Sequence, residues 1–90
     1  MPTVKFTYAL RRFFPNLKDT PVTSAGLPDL LQNIDAHYPG IRSYVVDERG
    51  ALRKHVLIFI DGEQISDRKT LTDKIGENSE VYIMQSLSGG

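Results

Sequence analysis

Apolar and polar residues alternate at both ends of this chain, and between those ends they recur at helical spacing in one stretch. Near the start, Val4, Phe6, Tyr8 and Leu10 are interleaved with Lys5, Thr7 and Ala9. That period of two predicts a half-buried strand over residues 3–10. Arg11-Arg12-Phe13-Phe14-Pro15-Asn16 breaks the alternation and reads as a connection, with Pro21–Ser24 as a short return strand that opens on its proline. Leu27, Leu30, Leu31, Ile34 and Tyr38 then fall three and four apart, the one-sided stripe of an amphipathic helix. Pro28 suits the first turn, Asp29 suits the positive end of the helix dipole, and Pro39-Gly40 closes the segment.

The second half reads mainly as strands. Ser43–Asp47 is β-branched and aromatic and is expected to be a strand, followed by a turn at Glu48-Arg49-Gly50. Leu52–Ile60 comes next, ending in Val56-Leu57-Ile58-Phe59-Ile60, apolar on both faces and so expected inside the sheet with both sides covered. Asp61-Gly62 is a tight-hairpin signal, because a type I′ turn needs positive φ at both central residues. Glu63–Ile65 is the expected return strand. Ser66–Gly76, with Leu71 and Ile75 among charges, is expected to hold a turn of helix, and Glu80–Met84 is the last strand. The order implies an α+β fold: a mixed four- to five-stranded sheet with one main helix packed across one face.

Parity along the two longest strands divides their side chains. If Val56, Ile58, Ile60, Val81 and Ile83 face the helix, then Leu57, Phe59, Tyr82 and Met84 face away. Those four would form an apolar patch of the kind that marks an interaction surface, with Phe59 as its anchor. Cover by the Arg11–Asp19 loop or by a second copy of the chain is the competing explanation.

Composition narrows the chemistry. The 90 residues suffice for one small domain, 40% are hydrophobic and 24% charged, as in ordinary globular proteins. Eleven basic residues cancel eleven acidic ones, so no overall field selects nucleic acid or an anionic membrane. With no cysteine there is no disulfide, thiolate metal site or cysteine nucleophile. The longest aliphatic-aromatic run falls far short of the ~20 residues of a membrane span, and the first residues lack the apolar stretch of a signal peptide. The expected location is the cytoplasm. His37 and His55 stand apart and read as surface or boundary residues, and no metal-ligating or nucleophilic motif accompanies them. Arg49, Arg53, Lys54 and His55 form the one basic concentration, read first as a solvated turn and otherwise as contact with an acidic partner. Neither a catalytic residue nor a bound cofactor is indicated.

The end of the chain carries the remaining signal. After the last strand the sequence runs Ser86-Leu87-Ser88-Gly89-Gly90, which divides the chain into a domain over 1–85 and an expected flexible tail over 86–90. Glycine keeps a chain end narrow and conformationally free. Residues 85–90, fully extended, reach about 20 Å at ~3.3 Å each, enough for the terminus to enter a buried site while the domain stays outside.

A one-helix β-grasp ending in Gly-Gly resembles the ubiquitin superfamily, and within it the MoaD/ThiS sulfur carriers. The resemblance spans essentially the whole chain. It is most specific over Glu80-Val81-Tyr82-Ile83-Met84-Gln85-Ser86-Leu87-Ser88-Gly89-Gly90, with a second anchor at His55-Val56-Leu57-Ile58-Phe59-Ile60-Asp61-Gly62-Glu63-Gln64-Ile65. It implies that an adenylating enzyme related to the ubiquitin-activating enzymes uses ATP to activate the carboxylate of Gly90, with Leu87, Ser88 and Gly89 threaded into its site. A sulfur source would leave a terminal thiocarboxylate, and a biosynthetic enzyme would accept the sulfur. The sheet face bearing Leu57, Phe59, Tyr82 and Met84 would dock on both enzymes, and the carrier alone would be a monomer. The product would be cysteine, molybdopterin or another sulfur-containing compound; Ser86-Leu87-Ser88 differs from the approach common in molybdopterin carriers, and the chain looks more like the group that includes cysteine-biosynthesis carriers. Two alternatives stand beside this: a protein modifier joined through Gly90 to lysines, and a β-grasp interaction module that is never activated.

Overall fold

In the computed structural model, which describes residues 1–86, the two alternating ends of the chain lie side by side at the middle of one sheet. Strand β1 (Thr3–Phe6) runs parallel to β5 (Glu80–Gln85), with Val4 opposite Val81 and Phe6 opposite Ile83. On the other side of β5 lies β3 (Val56–Ile60), antiparallel, with Ile58 opposite Ile83. Two-residue strands close the edges, β2 (Thr20–Pro21) on β1 and β4 (Glu63–Gln64) on β3, giving the order β2-β1-β5-β3-β4. Short edges limit the unpaired backbone that would otherwise template association.

Helix α1 (Leu27–His37) buries Leu27, Leu30, Leu31 and Ile34, the expected stripe. Pro28 sits in the first turn, and Asp29 accepts the N–H of Ala25 just ahead of it. These side chains share one core with Val4, Phe6, Val56, Ile58, Val81 and Ile83 from the sheet. Asp61 and Gly62 take φ values of 51° and 86°, the pair of positive angles required of the β3–β4 hairpin.

Five local expectations are corrected. The first strand stops at Phe6. Tyr8–Arg12 is a 3₁₀ helix, because the Thr7 hydroxyl receives the Gln85 N–H and the chain then turns to bury Leu10. The expected strand over Ser43–Asp47 is instead a short helix, α2 (Ile41–Val45). Ile41 and Val45 lie four apart and are both fully buried, while the Asp35 carboxylate accepts the N–H groups of Gly40 and Arg42 and so satisfies donors at the helix start. The strand expected from Leu52 begins at Val56; Leu52 makes one isolated bridge to Val46. Over 66–76 there is no helical turn. The Asp67 carboxylate collects the N–H groups of Lys69, Thr70 and Thr72 and both threonine hydroxyls, which lets Leu71 adopt a φ of 56° and insert into the core. The return strand at Pro21–Ser24 is shorter and earlier than expected. Pro21 ends β2, and the N–H of Val22 donates to the carbonyl of Pro2.

Candidate interaction face and the root of the chain end

The pairing of β3 with β5 places Leu57 opposite Met84 and Phe59 opposite Tyr82. Directly opposed residues share a face of the sheet, so the four outward residues expected from parity form two adjacent cross-strand pairs. Their inward neighbours Val56, Ile58, Val81 and Ile83 are fully buried, whereas Tyr82 is 38% exposed and Leu57, Phe59 and Met84 are half-buried. Phe59, Tyr82, Met84, Glu80 and Gly62 line an open depression of about 210 Å³ on this face. Lys5 pairs with Glu80 at 3.3 Å across β1 and β5, setting one ion pair at the border of the apolar patch.

The 11–20 connection lies elsewhere. Leu17 enters the core, Phe14 approaches Gly40, and Phe13 and Phe14 stack on Tyr44 of α2 at centroid distances of 5.2 and 5.9 Å. The connection is thus folded onto the helical side and leaves the outward face open.

Asp61 ties the two strands of this face together. Its N–H donates to the carbonyl of Glu80, and its carboxylate accepts the N–H of Glu80 and the hydroxyl of Ser79. Those hydrogen bonds, the backbone one foremost, hold its carboxyl below the ordinary value of 3.8. Asp67 is held lower still by hydrogen bonds from Thr70 and Thr72.

The basic stretch noted in the sequence is dispersed by the fold. Arg53 donates to the carbonyl of Ser43 and Arg68 to that of Arg53, both as structural ties, while Arg49 turns toward a depression shared with Arg42 and Lys69. His37 is exposed, and His55 packs edge-on against Tyr44 at 5.5 Å. Among the described residues no three potential metal ligands come together, and no helix is long and apolar enough to cross a membrane.

At the end of β5, Gln85 pairs with Val56, and the N–H of Ser86 donates to the carbonyl of His55 at 2.7 Å. The candidate tail residues Leu87, Ser88, Gly89 and Gly90 lie outside the described residues. What sequence reasoning missed is the aromatic cluster beside this exit. Tyr44 touches Phe13, Phe14 and His55 and donates its hydroxyl to Oε1 of Gln85 at 2.9 Å. The Phe13-Phe14 doublet is the available signal, but the strand-like composition around Tyr44 hides its partner.

A mixed five-stranded sheet grasping one main helix is the β-grasp of ubiquitin-like proteins. The structure superposes on CysO in the Amycolatopsis orientalis BexX/CysO complex with a TM-score of 0.83, at 17% identity and with 100% of both chains covered. CysO of Mycobacterium tuberculosis gives 0.79 at 22% identity, covering 97% of this chain and 100% of that one. The small archaeal modifier protein 1 of Methanosarcina acetivorans gives 0.72 at 22% identity, covering 99% and 95%. No protein-family model and no curated protein sequence matches the chain significantly.

Proposed function

We propose that this protein is a sulfur carrier rather than an enzyme, acting through the carboxylate of Gly90. The observation that carries the reading is a β-grasp whose β5 is followed, four positions on in the sequence, by Gly89-Gly90, with an open apolar face on β3 and β5. An activating enzyme would supply ATP. The Gly90 carboxylate attacks the α-phosphate, pyrophosphate leaves, and an acyl-adenylate forms. A sulfide donor then displaces AMP and leaves a terminal thiocarboxylate, whose sulfur passes to a biosynthetic acceptor. Leu87, Ser88 and Gly89 carry the carboxylate into the enzyme, and Phe59, Leu57, Tyr82 and Met84 dock the domain. That CysO is found in a complex with BexX supports a carrier that works by docking on a partner protein. The sulfur goes to a biosynthetic product, cysteine, molybdopterin or another, and the chain's resemblance to the group that includes cysteine-biosynthesis carriers favours the first.

The fold shared with a small archaeal modifier protein supports a second reading, in which the same activated carboxylate is joined to lysines of target proteins. One experiment separates the two. With ATP, an activating enzyme and sulfide, intact-mass spectrometry is expected to show one oxygen-to-sulfur exchange at Gly90. Isopeptide-linked products without any thiocarboxylate would favour the modifier, and no modification with any activating enzyme would defeat both. Deleting Gly90 is expected to abolish the exchange and leave the melting temperature unchanged, since a glycine has no side chain to contribute to a core.

A further inference from the structure

We infer that Tyr44 is a positioning residue that fixes where, and in which direction, the reactive end of the chain leaves the fold. Alternation along β5 turns Val81, Ile83 and Gln85 toward the helical side, so the strand ends on an inward-facing amide. An inward polar group needs a partner, and Tyr44 supplies it by donating its hydroxyl to Oε1 of Gln85 at 2.9 Å. The ring of Tyr44 is itself immobilised. Phe13 and Phe14 flank it, and His55 meets it edge-on with ring planes at 82°. The backbone is pinned at the same place: the Gln85 N–H reaches the Thr7 hydroxyl at 3.4 Å and the Ser86 N–H reaches the His55 carbonyl at 2.7 Å. His55 thus serves twice, through its carbonyl on Ser86 and through its ring on Tyr44.

The geometry makes such a clamp consequential. Residues 86–90 extend at most roughly 16 Å, so each ~10° of angular spread at the root displaces the far end by about 3 Å. A terminus that must find a narrow site gains from a narrow cone of approach, because less orientational freedom is lost on binding. Among the described residues Tyr44 meets Phe13, Phe14, His55 and Gln85, and it acts on the chain end through Gln85. The kinetic part of this inference rests on the reading of Gly90 as the reacting group.

The test uses Tyr44→Phe, which keeps the ring stacking and removes the hydroxyl, and Gln85→Met, which removes the acceptor. Gln85→Glu retains an acceptor and serves as the conservative rescue. In the free protein, ¹⁵N relaxation is expected to show the Ser86 order parameter falling from the rigid range near 0.85 toward about 0.6 in Tyr44→Phe and Gln85→Met. It should remain near wild type in Gln85→Glu. With the activating enzyme, the first two variants should raise KM for the carrier about three- to tenfold with kcat unchanged, and the double variant should be no worse than either single one. An unchanged Ser86 order parameter overturns the clamp. Loosening without any change in KM overturns its positioning role, and a raised KM without loosening means that Tyr44 contacts the enzyme directly, which also overturns it. If the wild-type chain is not adenylated at all, the carrier reading fails, and the relaxation measurement alone decides the clamp.

Discussion

The two faces of the β3–β5 pair are built from the same kind of residue and have opposite fates. Inward lie Val56, Ile58, Val81 and Ile83, all fully buried against α1 and its neighbours. Outward lie Leu57 against Met84 and Phe59 against Tyr82, equally apolar, with no element of the described chain laid over them. Burial of an apolar side chain contributes ~1.5–3 kcal/mol to folding, and a half-buried one contributes part of that. The inner face therefore stabilises the domain, whereas the outer face retains hydrophobic free energy that association can still use. The same chemistry serves folding on one side and, in the proposed function, recognition on the other, and only cover separates them.

Substitutions at facing positions test this contrast. Ile83→Ala, at the centre of the inner face, is expected to cost ~2–5 kcal/mol, a large share of the ~5–15 kcal/mol that stabilises a typical domain. Urea denaturation would measure it, and a loss under ~1 kcal/mol would mean that the inner face is not the core. Phe59→Ala on the outer face should lower stability by no more than about 1 kcal/mol yet weaken binding to the activating enzyme by ~2 kcal/mol, roughly thirtyfold. Isothermal titration calorimetry alongside thermal unfolding separates the two quantities. If the variant instead unfolds as readily as Ile83→Ala, the outer face is structural and the contrast collapses.

Smaller effects probe the device that holds the two strands in register. Gly62 has a φ of 86° with open space where a Cβ would sit, so Gly62→Ala meets backbone strain alone, ~1–2 kcal/mol, and should lower the melting temperature, as thermal unfolding would show. The smallest effect concerns pH. Asp61, which joins the hairpin to the start of β5, and Asp67, which organises the 67–72 loop, both have folded-state pKa values depressed below 3.8. A depressed carboxyl stabilises the fold fully above its unfolded pKa, and that contribution is lost as the pH falls through the folded value. Stability is therefore expected to be flat in this respect above pH ~4 and to decline below it. Carboxyl ¹³C titration by NMR checks the assignment: midpoints for both residues at or above 3.8 would contradict it.

Legibility in the sequence followed the range of the interactions. The strands β1, β3 and β5, helix α1 and the Asp61-Gly62 turn each have a signature within a few consecutive residues, and each is present, with β1 and β3 shorter than their patterns. The outward quartet was readable for the same reason, since alternation alone assigns Leu57, Phe59, Tyr82 and Met84 to one side once their neighbours are inside. Helix α2 was not. Ser43-Tyr44-Val45-Val46 favours a strand by composition, and the helix forms because Ile41 and Val45 both reach the core while Asp35, on a different helix, satisfies its first N–H groups. With α2 misassigned, the contact of Tyr44 with Gln85, forty-one positions away, had no signature at all. The 66–76 segment likewise depends on one carboxylate gathering five hydrogen bonds, an arrangement that periodicity does not encode.

By itself, then, the sequence determined the periodic elements, the parity of the two faces and the Gly-Gly ending, because these depend on backbone geometry and on the spacing of nearby side chains. Tertiary structure decided which apolar face would be covered, where the Phe13-Phe14 connection would fold, and that Tyr44 would brace the last residue of β5. Those outcomes depend on elements far apart in sequence competing for the same surface, and packing rather than local preference settles such competition.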